Sequence, residues 1–344
     1  MKKIVLVAGD LAPSLAFEQL RIKLEQLGWA TDNFLGHGMD MSSRYIPSAI
    51  INSDAVIIGM SSTSNRVKEE ILAAEEAIKR GIPIGFYADT YGVHRRPWFE
   101  DIRDKAAWLF VINREEAANA KPLFPHAQII ATGNPLWENF FFPRLTRKES
   151  RKKLGIADNQ TLILCPGIKL LMVNAALFIN TIEAAHQLML MKKKPVIVIS
   201  IHPGDPNPPE IYNDLSKYSQ VPVKIITRDF LPTSDIIPGA DILVDFCSTT
   251  AIEAIHQRIP VINFFTEIQL GRLKKIIGSR EWALDKLGVA KAIYSNPLEL
   301  AWTINRLLTS EGFAPMCLRQ KIVFPAPPAK GTAINKMAEA ISAI

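Results

Sequence analysis

The segment 240–265, ADILVDFCSTTAIEAIHQRIPVINFF, holds the densest set of residues that could do chemistry. The apolar run Ile242-Leu243-Val244 reads as a buried strand that stops at Cys247-Ser248-Thr249-Thr250. A helical stretch follows, and Pro260-Val261-Ile262-Asn263-Phe264 reads as a second buried strand. This is one βαβ unit with hydroxyls at the start of its helix. Free amides and the helix dipole favour an anion there, and the Ser248, Thr249 and Thr250 hydroxyls can add donors. Glu253, one turn inside, could accept bonds from a sugar diol. The segment can thus hold the diphosphate and sugar of a nucleotide. A purely structural reading is also open: Thr250-x-x-Glu253 fits a capping box, in which the helix start closes on itself.

Other strand ends carry similar groups. In the second half, Cys165-Pro166-Gly167-Ile168-Lys169 and His202-Pro203-Gly204-Asp205-Pro206 each follow an apolar run. Gly167 would let backbone approach a ligand. Lys169 could meet a phosphate, and an imidazole on a proline turn suits a phosphate or sugar contact. In the first half, Gly9-Asp10 follows the first strand, with Ser14 read as a helix cap. Ser61-Ser62-Thr63-Ser64 is a hydroxyl row, one member of which is expected to be an N-cap. The loop Ala88-Asp89-Thr90-Tyr91-Gly92-Val93-His94-Arg95-Arg96 offers a general base in Asp89, an imidazole in His94 and guanidiniums for anions, Arg95 among them.

The elements that must position these groups alternate. Strands are expected at Lys3–Ala8, Ala55–Met60, Ile82–Tyr87, Trp108–Ile112 and Gln128–Ala131. Helices are expected at Ser14–Leu27, Asn65–Arg80 and Glu115–Lys121. Phe140 to Arg151 breaks the rhythm, which restarts with strands at Leu162–Cys165, Pro195–Ile201, Val223–Thr227, Leu243–Asp245 and Val261–Phe264. The long helix Leu171–Met191 and a late helix Pro297–Leu308 belong to this half. Phe324–Lys330 is a proline-rich loop before a terminal helix. The expected fold is α/β: two tandem Rossmann-like, doubly wound parallel-sheet domains facing a cleft. The expected domains are 1–142 and 143–330, with 331–344 a terminal helix able to pack back on the first domain. Ligands of such sheets sit beyond the carboxyl ends of the strands.

Bulk properties narrow the function classes. The 344 residues, 48% hydrophobic and 22% charged, suit two globular domains. Three scattered cysteines with no CxxC spacing imply a reducing, cytoplasmic location without a zinc site or disulfide. The Ile4–Ala8 run is too short for a signal core, and no segment is long enough to span a membrane. The net charge of +6 is concentrated in Arg144–Lys153. That run reads as a solvated helix closing on Gly155, or as a peripheral contact with an anionic membrane face. It lacks the interleaved aromatics of a nucleic-acid surface, so no nucleic-acid partner is expected. There is no GxGxxG, Walker A, GxSxG or Asp-x-Asp sequence. No cofactor and no metal are therefore expected.

In order along the chain, several pieces resemble the two-domain GT-B nucleotide-sugar superfamily, in particular the non-hydrolysing UDP-N-acetylglucosamine 2-epimerases and capsule-type glycosyltransferases. They are Ile82–Asp89, Phe110–Ala117 with its acidic Glu115, Thr132-Gly133-Asn134-Pro135, Arg151–Ile156, His202-Pro203, and Ser248–Ala254 followed by Pro260-Val261-Ile262. The resemblance covers residues 1–310. It implies that the second domain binds a nucleotide sugar, Glu253 holding the ribose and Ser248 to Thr250 the diphosphate. Two departures matter. The epimerase signature has Ser-Gly-Gly and paired glutamates where this chain has Ser248-Thr249-Thr250 and Glu253 alone. The epimerases' His-x-Glu-Ala-Gly setting is replaced by Tyr87-Ala88-Asp89-Thr90-Tyr91.

The resulting expectation is a metal-independent glycosyltransferase of surface polysaccharide or glycoconjugate synthesis. It would use a nucleotide diphosphate sugar and an acceptor sugar or glycolipid. Asp89, Glu115 and His202 are the candidate catalytic residues. Gly167, Lys169, His202, Ser248, Thr249, Thr250 and Glu253 are the donor contacts, and Gly9, Asp10, Ser62, His94 and Arg95 lie on the acceptor side. A nucleotide-sugar 2-epimerase or hydrolase, and a non-catalytic nucleotide-sugar-binding protein, are the rival readings. Base, sugar, acceptor and oligomeric state are not legible.

Overall fold

The computed structural model describes residues 1–39, 43–217, 219–277 and 280–343. The chain divides into two compact units, one of Met1–Asn139 with Pro327–Ile344, the other of Phe140–Ala326.

Unit 1 is built on a parallel sheet of six strands: β1 (Lys3–Ala8), β2 (Ala30–Leu35), β3 (Ala55–Ile58), β4 (Ile84–Ala88), β5 (Ala106–Val111) and β6 (Gln128–Ala131), in the order β2-β1-β3-β4-β5-β6. Its inner strands are continuous apolar runs because both faces are covered. One face packs Phe86, Phe99, Phe124 and the helix Lys68–Lys79. The other packs Phe17, Leu20 and Leu24 of the helix Leu11–Gln26 against Ile334, Met337 and Ile341 of the terminal helix Thr332–Ser342. The terminal helix is anchored by Glu138, whose carboxylate accepts from the amides of Gly331 (2.7 Å) and Ala333 (2.6 Å).

Unit 2 carries β7 (Thr161–Pro166), β8 (Pro195–Ser200), β9 (Val223–Ile226), β10 (Ile242–Asp245), β11 (Val261–Phe265) and β12 (Lys291–Tyr294). All are parallel, in the order β12-β11-β10-β7-β8-β9. In each unit the chain moves outward from a central strand in one direction and then the other, which is the doubly wound pattern.

Half of the cations in the basic run are spent on partners inside unit 2. Arg144 makes a two-point bond to Asp235 (3.1 and 2.8 Å), and Arg147 pairs with Asp241. Arg151, fully buried, reaches Asp241 at 3.1 Å and the Gly239 carbonyl at 3.0 Å. Asp241 in turn accepts from the Leu162 amide at 2.7 Å, so the run clamps the entry to β10 onto β7. The run is thus not wholly solvated, while Lys148, Lys152 and Lys153 stay exposed. Three of its cations have intramolecular partners, and Thr146 and Glu149 close its start as a capping box. Among the described residues, no helix is long and apolar enough to cross a membrane.

Candidate functional site

In unit 2 the loops after β7, β8 and β10 all leave the carboxyl ends of neighbouring strands. Asn174, buried in the helix Leu171–Leu190, ties two of them together. Its side chain accepts from the Ile168 amide and donates to the Ile168 carbonyl (both 2.7 Å), and it donates to Asp205 at 3.1 Å and to Tyr212 at 3.0 Å. Asp205 also accepts from the Asn207 amide at 3.0 Å and is closely bonded to the Tyr212 hydroxyl. Gly167 sits against this knot: a Cβ there would stand 3.3 Å from Asn174 Nδ2. A side chain there would have to push the Asn174 amide aside by a few tenths of an ångström.

His202 is oriented by its own turn. The Gly204 amide donates to its Nδ1 at 2.9 Å. That contact assigns the ring proton to Nε2, leaving Nε2–H as a donor. Burial, and then the nearby Lys169 ammonium, push the imidazole below the usual histidine range, so it is neutral at pH 7. The Lys169 stem lies over Gly204, where a Cβ would be 2.8 Å from its Cε, and its ammonium end is exposed.

After β10 the backbone turns through Cys247, whose φ of +52° lies in the left-handed region unusual for a side-chain-bearing residue. Ser248 is the N-cap of the helix Thr249–His256 and accepts from the Thr250 amide at 3.2 Å. Thr250 is thus inside the helix and caps nothing, and the Thr250–Glu253 capping box does not form. Glu253, one turn in, is half-buried. Among the described residues no hydrogen bond or ion pair holds its carboxyl, which burial and then the charge of Asp235 push up to about 7. Its oxygens are not fully buried, so water or a ligand can reach them and supply the missing donors.

In unit 1 the site groups are held by a residue absent from the expected set. Glu70, fully buried, accepts from the amides of Gly9 (2.9 Å) and Ser61 (2.7 Å) and from the Ser61 hydroxyl (2.6 Å). Burial outweighs these bonds and raises it to about 7. Gly9 has no room for a side chain, since a Cβ would stand 2.2 Å from the Arg66 carbonyl. Asp10 accepts from the Ser62 amide (2.7 Å) and from Arg66 (3.0 Å). Burial opposes its ionisation, but Ser62 and Arg66 outweigh it and hold the group below its usual value. Asp89, at the end of β4, is pushed up to about 6, first by burial, with Arg96 opposing and Asp10 adding.

Several expectations require correction here. Neither Ser14 nor any hydroxyl of 61–64 is an N-cap. Ser14 is buried and donates to the carbonyls of Ala8 and Asp10, while the helix Lys68–Lys79 starts from Val67 without a side-chain cap. The Ser62 amide donates to Asp10, and the residue is exposed. His94 is fully buried, its Nδ1 3.1 Å from Glu116 and its Nε2 accepting from Arg95 at 3.3 Å. His94 is therefore spent inside the loop, whereas Arg95 is exposed beside it. The guanidinium that reaches the Asp10 and Asp89 region is that of Arg96, 3.9 Å from Asp10 and bonded to the Met60 carbonyl. Glu115 is exposed on the first turn of the helix Arg114–Ala120. The engaged acid is Glu116, which accepts from the Gly92 amide at 2.8 Å.

No family model matches the chain, and no curated protein sequence does. Solved structures do. The UDP-GlcNAc 2-epimerase of Neisseria meningitidis bound to UDP-GlcNAc superposes with a TM-score of 0.62 at 17% identity, over 99% of this chain and 100% of that one. A glycosyltransferase from Rickettsia africae gives 0.63 at 13%, over 99% and 98%. MurG of Acinetobacter baumannii gives 0.59 at 14%, over 100% of both. The chain has the GT-B fold. At these identities the likeness establishes architecture, a fold shared by epimerases and glycosyltransferases.

Proposed function

We propose that unit 2 binds a nucleoside diphosphate sugar and that the protein is a glycosyltransferase. The observation that carries the reading is Glu253: a half-buried carboxyl without a partner, one turn inside a helix whose first amides face the end of the sheet. A ribose diol would supply the missing donors. The diphosphate would lie at Thr249 and Thr250, within reach of the Nε2–H of His202 and of Lys169. These fixed donors would stabilise the charge that grows on the diphosphate as the sugar leaves. Asp89 is the proposed base on the acceptor hydroxyl, Arg96 keeping part of its population ionised at neutral pH. Gly9, Asp10 and Ser62 would shape the acceptor side.

A nucleotide-sugar 2-epimerase is the second reading, favoured by the names of several matching structures. Against it, Glu116 is occupied by Gly92 and His94, and Glu115, on which the resemblance places the family's acidic residue, is exposed. Thermal-shift measurement with UDP, GDP, CMP, dTDP and their sugars tests the binding. A melting point that no member of the panel raises would overturn it. Proton NMR of a bound nucleotide sugar without acceptor separates the two activities: an unchanged sugar supports the transferase, and conversion at C2 the epimerase.

A further inference from the structure

Behind the helix start at Ser248 lies a set of buried polar groups that the donor contacts leave unused. Asp245, the last residue of β10, is wholly buried. Its Oδ2 accepts from the Ser248 amide at 2.8 Å, while among the described residues its Oδ1 has no partner. Its register partner on β11 is Asn263, also wholly buried, whose Nδ2 donates to Asp285 Oδ1 at 2.8 Å. Asn263 Oδ1 and Asp285 Oδ2 are buried and unpartnered as well. Asp285 thus holds the Asn263 amide, Asp245 stands beside Asn263 in register on the neighbouring strand, and among the described residues three acceptor oxygens are left without donors.

The surroundings offer little compensation. The charged or titratable groups that act on Asp285 are Asp245, Glu281 and Lys291. Asp245 in turn acts on the thiols of Cys165 and Cys247, Asp285 acts on Cys247, and Asp285 and Glu281 act on Tyr294. Lys291 is the one opposing cation acting on Asp285 among the described residues, and it is exposed at the start of β12. Two buried like charges with unfilled oxygens cannot both persist cheaply, and a shared proton is the usual resolution.

We propose that Asp245 and Asp285, with Asn263 beside the first and bonded to the second, form a buried pair that holds one proton and positions the Ser248 turn, so that binding of a donor diphosphate is coupled to proton uptake by the pair. Burial raises Asp245 to about 6 and Asp285 to about 7, which places the exchange near neutrality. A diphosphate at Thr249 and Thr250 adds negative charge on the far side of Ser248 and favours the protonated pair further. Asp245 is a positioning residue: it acts on the ligand through Ser248. The coupling rests on the donor-site reading above, whereas the proton pair itself does not.

Two measurements on the full chain keep these apart. In calorimetric titration with UDP-GlcNAc as probe, near pH 7 and in buffers of different ionisation enthalpy, the wild type should take up a fraction of a proton. Asp285→Asn and Asp245→Asn should each remove most of that uptake. Asp245→Asn should also weaken the probe about tenfold, the loss expected from one charge-assisted bond. Melting temperature against pH needs no ligand. The raised carboxyls bind a proton in the folded state that the unfolded chain has released, so the wild type should lose stability as pH rises through 6 to 7. Each asparagine variant should show a shallower fall. If no nucleotide binds but the shallower fall is seen, the donor reading fails and the pair stands. Unchanged uptake and an unchanged pH slope in both variants would overturn the proposal.

Discussion

The Gly204 amide donates to Nδ1 of His202 at 2.9 Å, and this one bond decides which face of the imidazole can act. With Nδ1 engaged, Nε2 carries the proton and is a neutral donor at pH 7. The expected consequence is a contact to the diphosphate that glutamine can partly replace and phenylalanine cannot. His202→Phe should weaken a bound nucleoside diphosphate about tenfold, and His202→Gln appreciably less. Calorimetric titration of the two variants checks this, and equal affinities would remove the contact.

Glu253 makes a prediction of opposite sign in stability and binding. Its carboxyl is raised to about 7 in the folded state, so its stabilising contribution is present at acid pH and is lost as pH rises through 7. Glu253→Gln should therefore raise the melting temperature at pH 8 and do so less at pH 5. The same change should weaken nucleotide binding. Thermal melting beside titration would contradict the ribose role if affinity held while the melting point fell.

For Asp89 the expected effect is on rate. A base raised to about 6 loses activity as pH falls through that value. Asp89→Asn should lower turnover by about 10²–10⁴, remove the acidic limb of the pH profile and leave donor affinity nearly unchanged. Steady-state rates from pH 5 to 8 with a matched donor and acceptor provide the check. A loss below about tenfold would leave the residue without a basic role.

Gly9 is a packing requirement. A Cβ would stand 2.2 Å from the Arg66 carbonyl and 2.9 Å from the Ser61 hydroxyl. Gly9→Ala should cost about 1–3 kcal/mol, the usual scale of overpacking. Denaturant unfolding measures it. Nucleotide affinity should be retained, because the donor contacts belong to unit 2.

What could be read from the sequence follows from burial on both faces. The inner strands announced themselves as apolar runs. The edge strands β2 and β12 did not: Thr31, Asp32 and Asn33 in one, Lys291 and the exposed Tyr294 in the other, are residues that an edge tolerates. The helix Ser310–Val323 was hidden by Gly312 and Pro315, two residues that disfavour a helix interior. Strand-end loops were legible as places where polar residues interrupt apolar ones. Which member of each loop turns inward was not, since that depends on partners far along the chain. Glu70 and Ser61 are such a case, as are His94 and Glu116, and Asn174 and Asp205. In each, the polar residue that matters sits on a helix face and looks in sequence like ordinary surface.

The central claim is that the carboxyl ends of β7, β8 and β10 form a nucleoside diphosphate site. A crystal structure of the protein with UDP tests it most directly. The expected result places phosphate oxygens within hydrogen-bond distance of the Thr249 amide or hydroxyl and of His202 Nε2, with the ribose hydroxyls on Glu253. A diphosphate bound more than about 6 Å from all of these groups, beyond direct or single-water contact, would contradict it.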